Sequence, residues 1–285
     1  MASRVFFLFC LLALTASHSR ADGVYKSFEE ALYEPHKVES IRITYKGLKE
    51  LPDIFDRFPN LVELNLSNNQ IETLPPSLFK AKKLRILKLY KNNISDLPSE
   101  IGQLKNLVHL SLSYNKLELL PDSIGALPRL RELGLKNNLL TTIPASIGKL
   151  KRLEALSLTS NNIGRLPEEI TQLRNLEFLD LADNMIGRLP QQIGNLSKLK
   201  FLYLNRNRID EIPLSIGKCQ LLQELDVAYS GVLRLPHTLA DIQKLDLVYI
   251  DEKIISFVPN PQNSMRQKII QVPIGTALYR MSQFY

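Results

Sequence analysis

The chain repeats itself every 23 residues, and that period limits its fold more than any other feature. Val38, Leu61, Leu84, Leu107, Leu130, Leu153, Leu176, Leu199, Leu222 and Leu245 open ten units with no insertion or deletion between them. The pattern within one unit is LxxLxLxxNxLxxLPxxIGxLxx, as in Leu107, Leu110, Leu112, Asn115, Leu117, Leu120, Pro121, Ile124, Gly125 and Leu127. One unit holds too few apolar side chains to offset the entropy of ordering its own backbone, so only stacking of neighbours can stabilise it. Stacking leaves two open ends, which require atypical units.

Within a unit, positions are counted from the opening leucine. The LxLx stretch alternates at period two, which predicts a short strand with Leu110 and Leu112 pointing inward and His109, Ser111 and Ser113 pointing outward. Equivalent strands then pair in parallel. Position nine is asparagine in units two through eight (Asn69, Asn92, Asn115, Asn138, Asn161, Asn184 and Asn207), where the chain leaves the strand. Stacked asparagines there can satisfy the buried backbone of that turn from one unit to the next. Proline recurs at ten equivalent places from Pro52 to Pro259, and its fixed φ and missing N–H suit the first position of a short helical turn.

With these motifs in ten copies from Val38 to Pro259, the chain resembles the leucine-rich-repeat family. Its LPxxIGxL half is similar to the 23-residue class of bacterial repeat proteins and of intracellular Ras-suppressor-type scaffolds. The resemblance implies an α/β solenoid, a horseshoe with parallel strands on the concave face and short helical turns on the convex face. It also implies a non-catalytic binding module.

The ends differ from the repeats, as an open array requires. Lys46, Ser230 and Lys253 replace asparagine at position nine in units one, nine and ten. Residues 22–37 are expected to form an N-terminal cap: Ser27 and Glu30 make a capping-box pattern, Phe28, Ala31 and Leu32 share one apolar face, and Pro35 stops the turn. The stretch from Tyr25 to Ile43 is similar to the lead-in of exported bacterial leucine-rich-repeat proteins. Residues 260–285 leave the repeat but keep apolar side chains, among them Ile269, Ile270 and Val272, as expected of a tail that covers the open end.

Residues 1–21 read as a signal peptide: Arg4, then an apolar run from Val5 to Leu14, then small residues ending at Ser17, Ser19 or Ala21. The run is too short to span a bilayer, which needs about 20 apolar residues. Phe9 before Cys10 does not suit a lipid-attachment site. With Cys10 in that segment, Cys219 has no partner for a disulfide. A secreted, periplasmic or cell-surface location follows, without stable membrane insertion. The alternative is an intracellular scaffold whose hydrophobic N-terminus is not a signal.

The formal charge of +7 is spread along the chain. The longest basic runs, Lys80 to Lys83 and Lys149 to Arg152, are short and recur in the repeat, which reads as a solvated edge rather than a nucleic-acid track. His18, His36, His109 and His237 are too dispersed for a metal site, and the recurring glycines follow the period rather than a phosphate loop. No catalytic residue, metal or cofactor is expected. Cys219 takes the place of Leu104, Leu127 and Leu150, which predicts a buried thiol.

The expected binding site comes from the outward strand columns. Units three to five offer Lys88, Tyr90, Lys91, Tyr114 and Lys136, and unit six is bare, with Ala155, Ser157, Thr159 and Ser160. Units seven to ten bring aromatics and charges together: Phe178, Asp180, Phe201, Tyr203, Arg206, Asp226, Tyr229 and Tyr249, with Asp183 and Asp251 beside them. Outward aromatics with an arginine are the composition of an interface centre. A protein or peptide is the expected partner, and a glycan is possible. Phe178, Phe201, Tyr203 and Tyr229 would anchor it, and Arg206 with Asp180 and Asp226 would orient it.

Overall fold

The computed structural model describes residues 23–252 and 269–272; the expected signal segment and most of the expected tail lie outside them. Among the described residues there is one parallel sheet whose twelve strands follow chain order. Ten of them are the repeat strands: β2 (Ser40–Arg42), β3 (Glu63–Asn65), β4 (Ile86–Lys88), β5 (His109–Ser111) and β6 (Glu132–Gly134), then β7 (Ala155–Ser157), β8 (Phe178–Asp180), β9 (Phe201–Tyr203), β10 (Glu224–Asp226) and β11 (Leu247–Ile250). Strand β1 (Val24–Tyr25) pairs with β2 at one end, and β12 (Ile269–Gln271) pairs with β11 at the other. Those two strands are not repeats, and no periodicity announces them.

Register is strict. Leu110 faces Leu133, and Leu133 faces Leu156, so leucines stack in unbroken columns that are almost fully buried. The N-terminal helix α1 (Phe28–Tyr33) starts where the Ser27 hydroxyl accepts the Glu30 N–H at 3.1 Å, and Phe28 meets Phe55 edge-on at 5.7 Å. This carries the first unit's core onto the cap.

The asparagine ladder connects the units. Asn138 Nδ2 donates to the carbonyls of Leu135 in its own unit and Leu112 in the unit before, each at 3.0 Å. Its Oδ1 accepts the Leu117 N–H at 3.0 Å. The geometry recurs from Asn69, which reaches Ile43 and the N–H groups of Lys46 and Leu48, to Asn207. At unit nine the shorter Ser230 cannot reach across. The Ile209 N–H turns instead to the Ser230 carbonyl at 2.6 Å, and Gly231 takes φ +94° to allow it. The chain can aim these amides inward because position eight adopts the left-handed region, with φ between 52 and 60° from Tyr45 through Lys91, Tyr114 and Arg206 to Tyr229.

The repeated prolines do not occupy the first position of the helical turn. Pro98, Pro121 and Pro144 stand one residue earlier, in extended conformation, and their carbonyls accept the N–H of Ile101, Ile124 and Ile147 to close it. Ser113 does not face outward: the strand has ended by position seven, alternation stops, and its buried hydroxyl accepts the Lys136 N–H at 3.1 Å.

The opposite face is a row of 3-10 turns that approach very closely. A Cβ on Gly125 would lie 2.3 Å from the Ser146 carbonyl oxygen, and one on Gly194 would lie 2.0 Å from that of Ser215. In unit six Thr171 replaces this glycine, and the turn that follows, Ile193–Asn195, is three residues long where its neighbours have five. Cys219 is fully buried, with Sγ 3.7 Å from the Ile193 carbonyl, and burial pushes its thiol up to about 12. It is a packing group.

Candidate functional site: the aromatic strand face of β8 to β11

Parallel pairing lays the columns of units seven to ten side by side. Phe178 faces Phe201, which faces Glu224; Asp180 faces Tyr203, then Asp226, then Tyr249. The first column gives a ring pair at 6.4 Å between Phe178 and Phe201, and the diagonal gives an edge-on contact at 5.6 Å between Phe178 and Tyr203. Such contacts add roughly 0.5–1.5 kcal/mol each beyond area burial. Three aromatic rings from two strands therefore form one preassembled unit.

The arrangement separates the expected site residues by depth. Phe178 was expected on the exposed face, but it is only 6% accessible because Phe201 and Tyr203 cover it, so it supports the patch from beneath. Phe201, Tyr203 and Tyr249 are half-buried. Asp226 is 2% accessible, and its Oδ1 accepts the Ala228 N–H at 3.0 Å. Asp180 does the same for Ala182 at 3.1 Å. These carboxylates brace the bend at the strand end, and burial removes Asp226 from the exposed surface where it was expected.

Arg206 is exposed, and its guanidinium lies 3.6 Å from Asp183, the preceding residue of its own column. It therefore sits at the rim with Asp183 rather than with Asp180 or Asp226. Tyr229 is committed to the chain end: its hydroxyl donates to the Val272 carbonyl at 2.9 Å, and its N–H donates to Asp251 Oδ2. Burial and the nearby Asp251 and Glu252 carboxylates push the phenol up from its ordinary value. Tyr229 thus ties down the residue that follows β12 rather than standing open beside Tyr203.

A second cluster lies on the same face in units three to five. Tyr90 and Tyr114 meet edge-on at 5.1 Å, and Lys136 Nζ lies 6.0 Å from the Tyr114 ring centroid. Next to it His109 Nδ1 and Glu132 Oε2 are 2.6 Å apart, a bond that holds the Glu132 carboxyl below its ordinary range. Tyr114, 37% accessible, projects because its left-handed backbone turns the side chain outward. Position eight, immediately before each ladder asparagine, is the signal by which such projecting residues can be found. Among the described residues, no group of three or more His, Cys, Asp or Glu is placed to hold a metal ion, and no helix is long and apolar enough to cross a membrane.

Comparison with known proteins bears on what such a face belongs to. A family profile described as leucine-rich repeat region matches residues 37–161 and 121–199, and a second, described as leucine rich repeat, matches residues 198–219. A comparison with curated proteins finds no match. Among solved structures, the plant peptide hormone receptor RGFR1 in complex with RGF2 is similar at 27% identity and a TM-score of 0.56 over 75% of this chain and 41% of that one. The leucine-rich-repeat ectodomain of the receptor kinase GASSHO1/SCHENGEN3 from Arabidopsis thaliana, in complex with CASPARIAN STRIP INTEGRITY FACTOR 2, is similar at 26% identity and a TM-score of 0.54 over 74% and 32%. A TDR receptor shares the fold, at 24% identity and a TM-score of 0.64 over 81% and 47%. The chain spans less than half the length of each of these three. Because the profiles cover more than half of the sequence, on units whose leucine columns and asparagine ladder are those just described, the chain belongs to the leucine-rich-repeat family.

Proposed function

We infer that the protein is an exported, non-catalytic recognition module that binds a protein or peptide through the strand face of units seven to ten. The observation that carries this reading is the preassembled set of Phe178, Phe201 and Tyr203, in which two half-buried residues pack their rings against a buried third. Rings already fixed by packing lose little entropy on binding, which is the property of an interface anchor. Two of the similar solved structures are complexes with a named factor or hormone, which favours a peptide over a glycan. Phe201 and Tyr203 are the contact residues in this reading, Tyr249 extends the surface, and Arg206 with Asp183 forms its charged rim.

The test begins with selection of binders from a random displayed peptide library. In titrations with a selected peptide, Phe201→Ala and Tyr203→Ala should each cost about 1 kcal/mol or more, with circular dichroism unchanged. Equal affinity in the double variant would move the site elsewhere. Export has its own check: N-terminal sequencing of the fractionated protein should find a chain that starts after Ser17, Ser19 or Ala21. An intact Met1 chain in the cytoplasm would favour the intracellular scaffold.

A further inference from the structure

Each unit has two flanks, one leaving the strand after the ladder asparagine and one returning to it from the helical turn. The returning flanks of units two to six, residues 80–85, 103–108, 126–131, 149–154 and 172–177, hold eleven lysines and arginines and two glutamates, a net +9 against +7 for the whole chain. The leaving flanks of the same units, residues 70–73, 93–96, 116–119, 139–142 and 162–165, hold two basic and three acidic residues. The parallel stack therefore gathers into one flank a charge that is dispersed in sequence.

Arg131 is paired with Glu154 at 2.8 Å and Lys80 with Asp56 at 3.8 Å, while four other lysines have neutral partners. Lys82 donates to the Gln103 amide at 3.3 Å, Lys83 to that of Asn60 at 2.6 Å, Lys105 to the Ala126 carbonyl at 2.9 Å and Lys151 to the Gln172 amide at 3.1 Å. Neutral partners orient the ammonium groups without cancelling their charge. The flank also has no aromatic ring on which a base could stack, and its leucines are all buried, so nothing is available to enter a bilayer. What remains is a row of exposed cations along the stack.

We propose that this flank docks a linear polyanion of the acidic-polysaccharide class, in a site separate from the aromatic strand face. Such a chain needs only a track of cations, and its release of counterions makes binding strongly salt-dependent.

The experiment titrates the full chain with fluorescein-labelled heparin, and in parallel with polygalacturonate, phosphatidylserine vesicles and oligo-dT. The variant Lys82→Gln/Lys83→Gln/Lys105→Gln/Lys151→Gln should bind heparin about tenfold or more weakly, with a shallower salt dependence. A control with the same loss of charge elsewhere, Lys116→Gln/Arg165→Gln/Arg208→Gln/Arg234→Gln, should change affinity by less than about twofold. Equal loss in both variants would reduce the effect to net charge and overturn the proposal, as would absence of binding to both polysaccharides. Tighter binding to the vesicles or to oligo-dT would overturn it in favour of another class of partner. Peptide binding at Phe201 and Tyr203 should be the same in both variants, so the two sites fail separately.

Discussion

Replacing Asn138 with alanine is expected to destabilise the protein by about 3–5 kcal/mol in chemical denaturation. Its Nδ2 donates to Leu112 and Leu135, and its Oδ1 accepts from Leu117, all among buried groups. Each carbonyl keeps a second amide donor: Leu112 retains Asn115 at 2.9 Å, and Leu135 retains Asn161 at 3.0 Å. The Leu117 N–H has no such substitute, and an orphaned buried donor costs about 1–3 kcal/mol beyond the lost bonds. Asn138→Asp should be at least as damaging, because it removes both donors and buries a carboxylate against two carbonyls. A loss below about 1 kcal/mol would mean that the turn is held by its backbone bonds alone.

The second large effect is expected on the opposite face. Gly194→Ala puts a methyl group 2.0 Å from the Ser215 carbonyl oxygen and 3.0 Å from Lys218 Cβ, so the clash is mainly with backbone that cannot rotate away. Units seven and eight must separate locally, at a cost of about 1–3 kcal/mol or more. Gly187 in the same unit is the control: its added Cβ meets nothing within 4 Å, and its φ is not in the left-handed region. Gly187→Ala should be neutral or stabilising by about 0.4–1 kcal/mol through the unfolded chain. Equal melting temperatures for the two variants would show that the convex turns are not packed as described.

The same comparison of depth and direction explains what the sequence made legible. A period of 23 residues with two inward leucines per strand dictates a parallel stack, and the asparagine at position nine sits at the one place where a side chain can serve two units. Those are local rules, the leucine positions repeated in ten units and the asparagine in seven, so they were readable. Alternation, however, tells which way a side chain leaves the strand and not what lies over it. Phe178 points outward yet is covered by Phe201 and Tyr203, a consequence of bulky neighbours on the next strand. Asp226 faces the same way, but its short carboxylate turns back to the Ala228 N–H. The tie between Tyr229 and Val272 spans 43 residues and joins a repeat to a non-repeating strand, so no periodic pattern contains it. Gathering of charge on the returning flank was visible only as short runs until the stack aligned them.

The left-handed residues connect fold to surface. Lys91, Tyr114, Arg206 and Tyr229 occupy a conformation that costs roughly 1–2 kcal/mol for residues other than glycine. Neighbouring units offset it, since the N–H of Lys91 reaches the Ser113 carbonyl at 2.9 Å and that of Tyr114 reaches the Lys136 carbonyl at 2.7 Å. At Tyr45, Lys91, Tyr114 and Arg206 the repeat thus presents an exposed side chain at the rim of the strand face.

Photo-cross-linking locates a bound peptide on the protein. A selected peptide carrying benzophenone is irradiated on the full chain, and the attachment sites are read by mass spectrometry. Binding through the aromatic strand face predicts cross-links concentrated in residues 178–183, 201–206 and 247–250, lost when Phe201 and Tyr203 are both alanine. Cross-links concentrated on the helical turns, or a pattern unchanged in the double variant, would contradict it.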